Sequence, residues 1–97
     1  MPAYVIFDIH VDDPDAYAPY RGPAGEAVVA HGGRYLARGG ATQVLEGEWE
    51  LDRLVVLEFP SVEQAKAWYH SPEYQEVAPI RQAASHGRAV IVEGYTP

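Results

Sequence analysis

Residues 3–11 (AYVIFDIHV) alternate between two rows. Val5, Phe7, Ile9 and Val11 form a wholly apolar row, and Tyr4, Ile6, Asp8 and His10 form one that turns polar toward its end. Alternation among β-branched and aromatic residues predicts a strand. Asp13-Pro14-Asp15 then marks a helix start. It supplies a capping carboxylate, a proline suited to the first helical position, and an acid near the positive end of the helix dipole. The helical stretch runs to about Ala30, and Gly32-Gly33 stop it. Pro19, Gly22, Pro23 and Gly25 interrupt it, so two pieces are expected, with a break at Arg21–Gly22 and a restart at Pro23.

Residues 34–46 read as a second strand, bent or bulged at Gly39-Gly40, and residues 46–52 (EGEWELD) as a hairpin connection. Residues 53–59 (RLVVLEF) are apolar almost throughout, which predicts an interior strand ended by Pro60. Ser61 and Gln64 are spaced as a capping box, and Val62, Ala65, Trp68 and Tyr69 form the apolar stripe of the following helix. Ser71-Pro72 restarts the chain as a further helix. Its stripe is Tyr74, Val77, Ile80, Arg81 and Ala84, with a kink expected at Pro79. Residues 88–95 (RAVIVEGY) are the last strand. The order βαββαβ predicts an α+β fold of ferredoxin-like type, a four-stranded antiparallel sheet with helices on one face. The strands are apolar on both faces, yet helices cover only one. The other needs a surface to meet, and a second copy of the sheet is the simplest, so a homodimer is expected.

Composition bounds the function. Ninety-seven residues make one domain, residues 1–97. The net charge of −7 argues against nucleic acid or an anionic membrane as partner. Cysteine is absent, which excludes a disulfide framework, a thiolate nucleophile and a zinc-thiolate site. No apolar run approaches the ~20 residues of a membrane span, and no secretory signal pattern stands at the N-terminus. A cytoplasmic location is the expectation.

Six motifs, taken together, resemble a known family: GGRYLARGG (32–40), EGEW (46–49), RLVVLEFPS (53–61), WYHSPEYQ (68–75), Ile80-Arg81 and VEG (92–94). In order and spacing, from about Tyr4 to Tyr95, the chain is similar to family 1330 of the domains of unknown function. Glu50 and Asp52 make its connection more acidic than the family's usual one. The resemblance implies a subunit of the dimeric α+β barrel superfamily. It implies no single reaction, since that superfamily includes cofactor-free monooxygenases, muconolactone isomerases, polyketide cyclases and haem-handling enzymes.

Two constellations carry candidate chemistry. In the split βαβ order the first strand lies between the third and fourth, so Asp8, Glu58 and Glu93 fall on three adjacent strands, with His10 on the face of Asp8. Crowded buried carboxylates raise one another's pKa, which creates a general acid or base. The structural alternative is ion pairing with Arg34, Arg38, Arg53 or Arg88. The second constellation is Trp68, Tyr69, Tyr74 and Arg81 under the helices, joined by Tyr35 and Arg38 from the second strand. There the aromatics would flank a planar ligand while Arg81 holds an anionic oxygen. The alternative is ordinary core packing with the tyrosine hydroxyls hydrogen-bonded.

The remaining features read as structure. His31 suits the negative end of its helix, His70 follows the aromatic pair, and His86 precedes a glycine in a turn. Neither glycine pair fits a phosphate-binding loop, and no metal-ligand spacing or bound cofactor is indicated. The alternating acids Glu46, Glu48, Glu50 and Asp52 suit a solvated edge. The reading is a small-molecule-binding protein, a cofactor-free enzyme of proton-transfer, isomerase or monooxygenase type on a small carbonyl or aromatic compound. The alternatives are a non-catalytic ligand-binding or stress-related module, and a purely structural dimer.

Overall fold

A computed structural model describes residues 1–97. Strand β1 (Ala3–Val11) leads through helix α1 (Pro14–Ala30) to β2 (Arg34–Arg38) and β3 (Arg53–Phe59). Helices α2 (Val62–Tyr69) and α3 (Pro72–Ala84) follow, and β4 (Ser85–Glu93) closes the chain. The strands form one antiparallel sheet in the order β2-β3-β1-β4. This is the α+β, ferredoxin-like βαββαβ fold, with all three helices on one face.

The alternation along β1 decides the layering. Val5, Phe7 and Ile9 lie opposite Leu57, Val55 and Arg53 of β3, and opposite Ile91, Ala89 and Gly87 of β4. Together with Phe59, the apolar members of this row on β1 and β3 meet Tyr17, Tyr20, Ala24, Ala27 and Val28 of α1. Ala65 and Trp68 of α2 and Tyr74, Val77 and Ala78 of α3 complete the core. Each large side chain buried in this way contributes about 1.5–3 kcal/mol.

The predicted caps form. Asp13 accepts from the Ala16 amide at 3.2 Å, Ser61 from Gln64 at 3.1 Å and Ser71 from Tyr74 at 3.2 Å. The capping box at Ser61 is only half made. The Gln64 side chain donates instead to the His31 carbonyl at 3.1 Å, tying α2 to the end of α1.

Three boundaries differ from the sequence reading. Helix α1 is continuous, with Pro19 and Pro23 inside it. Asp15, Pro19 and Pro23 share the exposed face, so the carbonyls left without an amide partner face water. Strand β2 stops at Arg38 rather than reaching residue 46; its register shift lies between Tyr35 and Ala37, and the chain bends at Gly39. Gly39 follows with φ of 72°, and residues 39–52 cross back without regular structure. Asp52 is no idle surface acid, since its carboxylate accepts from the Val11 amide at 2.9 Å. Strand β4 begins at Ser85, three residues early, because the sheet continues through Gly87 opposite Ile9.

No helix covers the opposite face of the sheet; only part of the irregular segment, through Trp49, lies against it beside Asp8 and Leu54. The molecule measures 36 × 35 × 17 Å, a slab with Ile6, Leu54, Val56, Val90 and Val92 on its open side. Val90 is 56% exposed and Val92 47%. No helix is long and apolar enough to cross a membrane.

At Gly87 a Cβ would collide with the Asp8 carbonyl oxygen. Gly87→Ala is therefore expected to cost about 1–3 kcal/mol, the range for overpacking a tight site, read as a lower midpoint in urea denaturation.

Candidate functional site

The register separates the three carboxylates proposed as acid–base groups. Asp8 lies opposite Leu54 and Arg88, whereas Glu58 lies opposite Tyr4 and Glu93 opposite Ala3. Four or five residues of strand, about 13–17 Å, divide Asp8 from the other two. Glu58 is on the open face, where it takes Arg34 Nε at 2.8 Å. Glu93 has the inward parity of Ala3 but is exposed at the strand's end.

What the register does bring together is Asp8, His10 and three residues absent from that list. Asp8 is buried, and its Oδ2 accepts from Trp49 Nε1 at 3.3 Å while Arg88 Nε lies 3.5 Å away. Its Oδ1 has no hydrogen-bond partner. His10 Nε2 lies 3.9 Å from it. The His10 ring stacks on His86, centroids 5.0 Å apart, and His86 Nδ1 is 2.9 Å from Asp12. His86 therefore lies in strand β4, where a turn was expected, and its exposed ring pairs with Asp12. A groove lined by Ile6, Trp49, Leu54, Arg88 and Val90 borders Asp8. No three of the histidines and acids are arranged to hold a metal ion.

The helix side carries the second constellation. A cavity lies where α1 meets the sheet, about 340 Å³ including its open mouth. Phe7, Val55 and Leu57 form its floor, Tyr17, Tyr35 and Trp68 its ring walls, and Arg21, Arg38 and Arg53 its polar edge. Tyr35 and Arg38 thus stand at the cavity, the guanidinium 4.2 Å over the Tyr35 ring. Arg38 also donates to the Arg21 carbonyl at 2.8 Å and packs on α1 at Gly25, where no side chain intervenes. Burial pushes the Tyr35 hydroxyl's pKa up against the opposing charge of Arg38.

The other candidates stand deeper. Trp68 and Tyr74 are almost wholly buried and pack at 4.4 Å between ring centroids. The Tyr74 hydroxyl is 2.7 Å from that of Tyr20 and accepts from Arg81 Nε at 3.3 Å. Burial works against the charge of Arg81, but Tyr74 and Tyr20 outweigh it and raise its pKa. Burial, reinforced by Tyr74, likewise raises that of Tyr20. Tyr69 packs on both Trp68 and Tyr74, its ring centroid 6.0 Å from that of Trp68 and 5.6 Å from that of Tyr74, and also borders an apolar groove with Val5 and Ile91 between α2 and β4. His31 is the residue that ends α1 and lies 3.5 Å from Glu73.

Sequence reasoning missed Tyr17, Tyr20, Arg21, Arg53 and Trp49. The first three recur at helical spacing, and Arg53 shares the inward parity of Val55, Leu57 and Phe59, so a signal existed for four. Trp49 arrives from an irregular segment that carries no such period.

These features define a class: a ferredoxin-like α+β domain whose helices cover one face of the sheet. The chain belongs to the DUF1330 family, domain of unknown function, whose model matches residues 2–95. Among curated proteins nothing matches it. Among solved structures it is similar to RPA0582 of Rhodopseudomonas palustris, a protein of unknown function. The two are 25% identical, with a TM-score of 0.79, over 99% of this chain and 84% of that one. SnoaB of Streptomyces nogalater, a cofactor-independent oxygenase, is 10% identical with a TM-score of 0.63, over 99% and 93% of the two chains. A dimeric ferredoxin-like protein of unknown function from Bacteroides fragilis is 16% identical with a TM-score of 0.52, over 96% and 94%. At these lower identities the likeness is one of fold.

The chain Arg81–Tyr74–Tyr20 predicts an order of effects. Tyr74→Phe strands two partners and Tyr20→Phe one, so the former costs more, by about 1 kcal/mol. Denaturant midpoints of both variants and the double variant measure it. Raised folded-state pKa values for Tyr20 and Tyr35 mean the folded chain holds these protons where the unfolded chain, near pH 10, releases them. Stability is therefore fully present below about pH 10 and falls above it, which a series of melting temperatures from pH 8 to 11 would record.

Proposed function

We propose that two copies of this chain form a cytoplasmic dimeric α+β barrel, and that each binds a small carbonyl or aromatic compound in the cavity between α1 and the sheet. The observation that carries the ligand reading is the cavity's lining. Aromatic walls and an apolar floor meet a few polar groups at one open edge, the usual make-up of a small-molecule site. Tyr35 and Arg38 contact the ligand, Trp68 forms the inner wall, and Tyr69, Tyr74 and Arg81 hold that wall in place. The fold likeness to a cofactor-independent oxygenase supports chemistry without a cofactor.

The dimer reading rests on surface. The isolated chain exposes 6190 Å², against about 5,500 Å² for a typical monomer of its mass. The excess includes the open sheet face with Val90 and Val92. The described dimer among its structural neighbours agrees with this. Absence of cysteine supports the cytoplasmic location.

One observation favours a catalytic reading on the other face. Asp8 Oδ1 is buried without a partner, a free proton acceptor, and the His10 imidazole stands 3.9 Å away, within reach of it after a small movement of either ring or carboxylate. In that reading Asp8 and His10 act on a compound held in the groove beside Trp49. Glu58 and Glu93 then hold outlying charge, Glu58 through its pair with Arg34.

A library of small aromatic and carbonyl compounds, read by thermal shift, tests the ligand reading. At least one compound is expected to raise the melting temperature of the native chain and not that of Tyr35→Ala. If none does, the chain is not a ligand-binding module. Light scattering at micromolar concentration is expected to give twice the chain mass, and Val90→Glu to give the monomer. A native chain that runs as a monomer overturns the dimer.

A further inference from the structure

Only seven cationic side chains serve fourteen acids in this protein. Excess acid leaves every arginine a wide choice of partners, yet only two of the six take one. Arg34 pairs with Glu58 and Arg88 with Asp8, whereas no carboxylate lies within 4.0 Å of Arg21, Arg38, Arg53 or Arg81. Three of those four line the cavity beside α1, and they come from three different elements: Arg21 from α1, Arg38 from β2 and Arg53 from β3. No acid lines it. Their charges rest on ring faces instead. Arg38 lies 4.2 Å over Tyr35, and Arg21 and Arg53 lie 5.8 and 5.9 Å over Tyr17.

Arg53 is the sharpest of the three. It occupies an inward position of β3, opposite Ile9, where the rest of the row is core. Its Nε is shielded from solvent and has no hydrogen-bond partner. The chain also makes room for it. Gly39 has φ of 72°, and a Cβ there would collide with the Arg53 guanidinium. A charged donor held out of water, unpaired, beside two further guanidiniums, is matched by an anion that enters from outside.

We propose that this cavity is an anion site and that its ligand is a planar organic carboxylate. The ring or conjugated plane lies against Tyr17 and Tyr35, and the carboxylate takes the N–H groups of Arg53 and Arg38. As it stands the cavity has free volume of about 20 Å³, room for one water or one carboxylate oxygen. The body of the ligand then occupies the mouth, where Arg21 and Arg38 are exposed and free to fold over it. Guanidiniums recognise a carboxylate in its own plane and stack on conjugated rings, which selects a flat anion over a flat neutral compound or a tetrahedral one. This rests on the proposed ligand reading of the same cavity and adds the charge and shape of what fills it.

The test uses the Trp49→Phe chain, in which Trp68 in the cavity wall is the sole tryptophan. Benzoate and salicylate, their neutral amides and inorganic phosphate are titrated against its fluorescence. At least one carboxylate is expected to bind saturably, tenfold or more tighter than its amide and than phosphate. Arg53→Gln is expected to weaken that carboxylate at least tenfold and leave the amide unchanged, while Lys66→Gln, exposed on α2 and outside both candidate sites, changes neither. Arg53→Lys, which keeps the charge and loses the planar fork, serves if Arg53→Gln does not fold, with the same loss expected. Amides that bind as tightly as the acids, or acid binding indifferent to both Arg53 variants, overturn the anion site and leave the ligand reading standing. Phosphate binding as tightly as the carboxylates overturns the planar class. No carboxylate binding, with a neutral hit from the thermal-shift library, overturns this inference alone; no binding in either experiment overturns both.

Discussion

Val5, Phe7 and Ile9 project from one side of β1, and Ile6, Asp8 and His10 from the other, and this strand has a neighbour on each edge. A shift of one residue in its pairing would put Asp8 in the core and Phe7 on the open face. Both candidate sites depend on that register. On one side it sets Phe7 under the cavity of α1; on the other it sets Asp8 opposite Arg88 and His10 opposite His86. The two sites are thus the two faces of a single strand and share its register.

How far the sequence disclosed this depends on how local each signal is. Strand faces, helix caps and element order follow from residues a few positions apart, and Asp13, Ser61 and Ser71 cap as their spacing implies. Helix α1 misleads because two prolines usually break a helix, but here both lie on the wet face of one held down by Tyr17, Tyr20 and Val28. The carboxylate cluster misleads for a different reason. Residues on adjacent strands meet only if the register aligns them, and register depends on where each strand starts. Glu58 and Glu93 sit near one end of the sheet and Asp8 toward the other.

The arginines make the same point from the side of charge. A sequence gives their number but not their company, and an acidic chain suggests that each finds a carboxylate. Arg34 and Arg88, on the open face, do so. Arg21, Arg38 and Arg53 face aromatic rings, because α1 brings Tyr17 and β2 brings Tyr35 to that edge and no acid with them. Composition describes the protein as anionic, whereas this corner of it is cationic.

The two borders of the sheet are built unequally. Strand β2 spans five residues, is irregular between Tyr35 and Ala37, and carries Arg34 and Arg38 at its ends, all of which discourage another strand from adding to it. Strand β4 spans nine, pairs in unbroken register with β1 alone, and runs from Ala89 to Val92 without a charge or a proline. That stretch presents a row of free amides and carbonyls beside apolar side chains. The solubility of a freshly synthesised chain is therefore governed less by the stability of its core than by how quickly four residues of its outermost strand are covered.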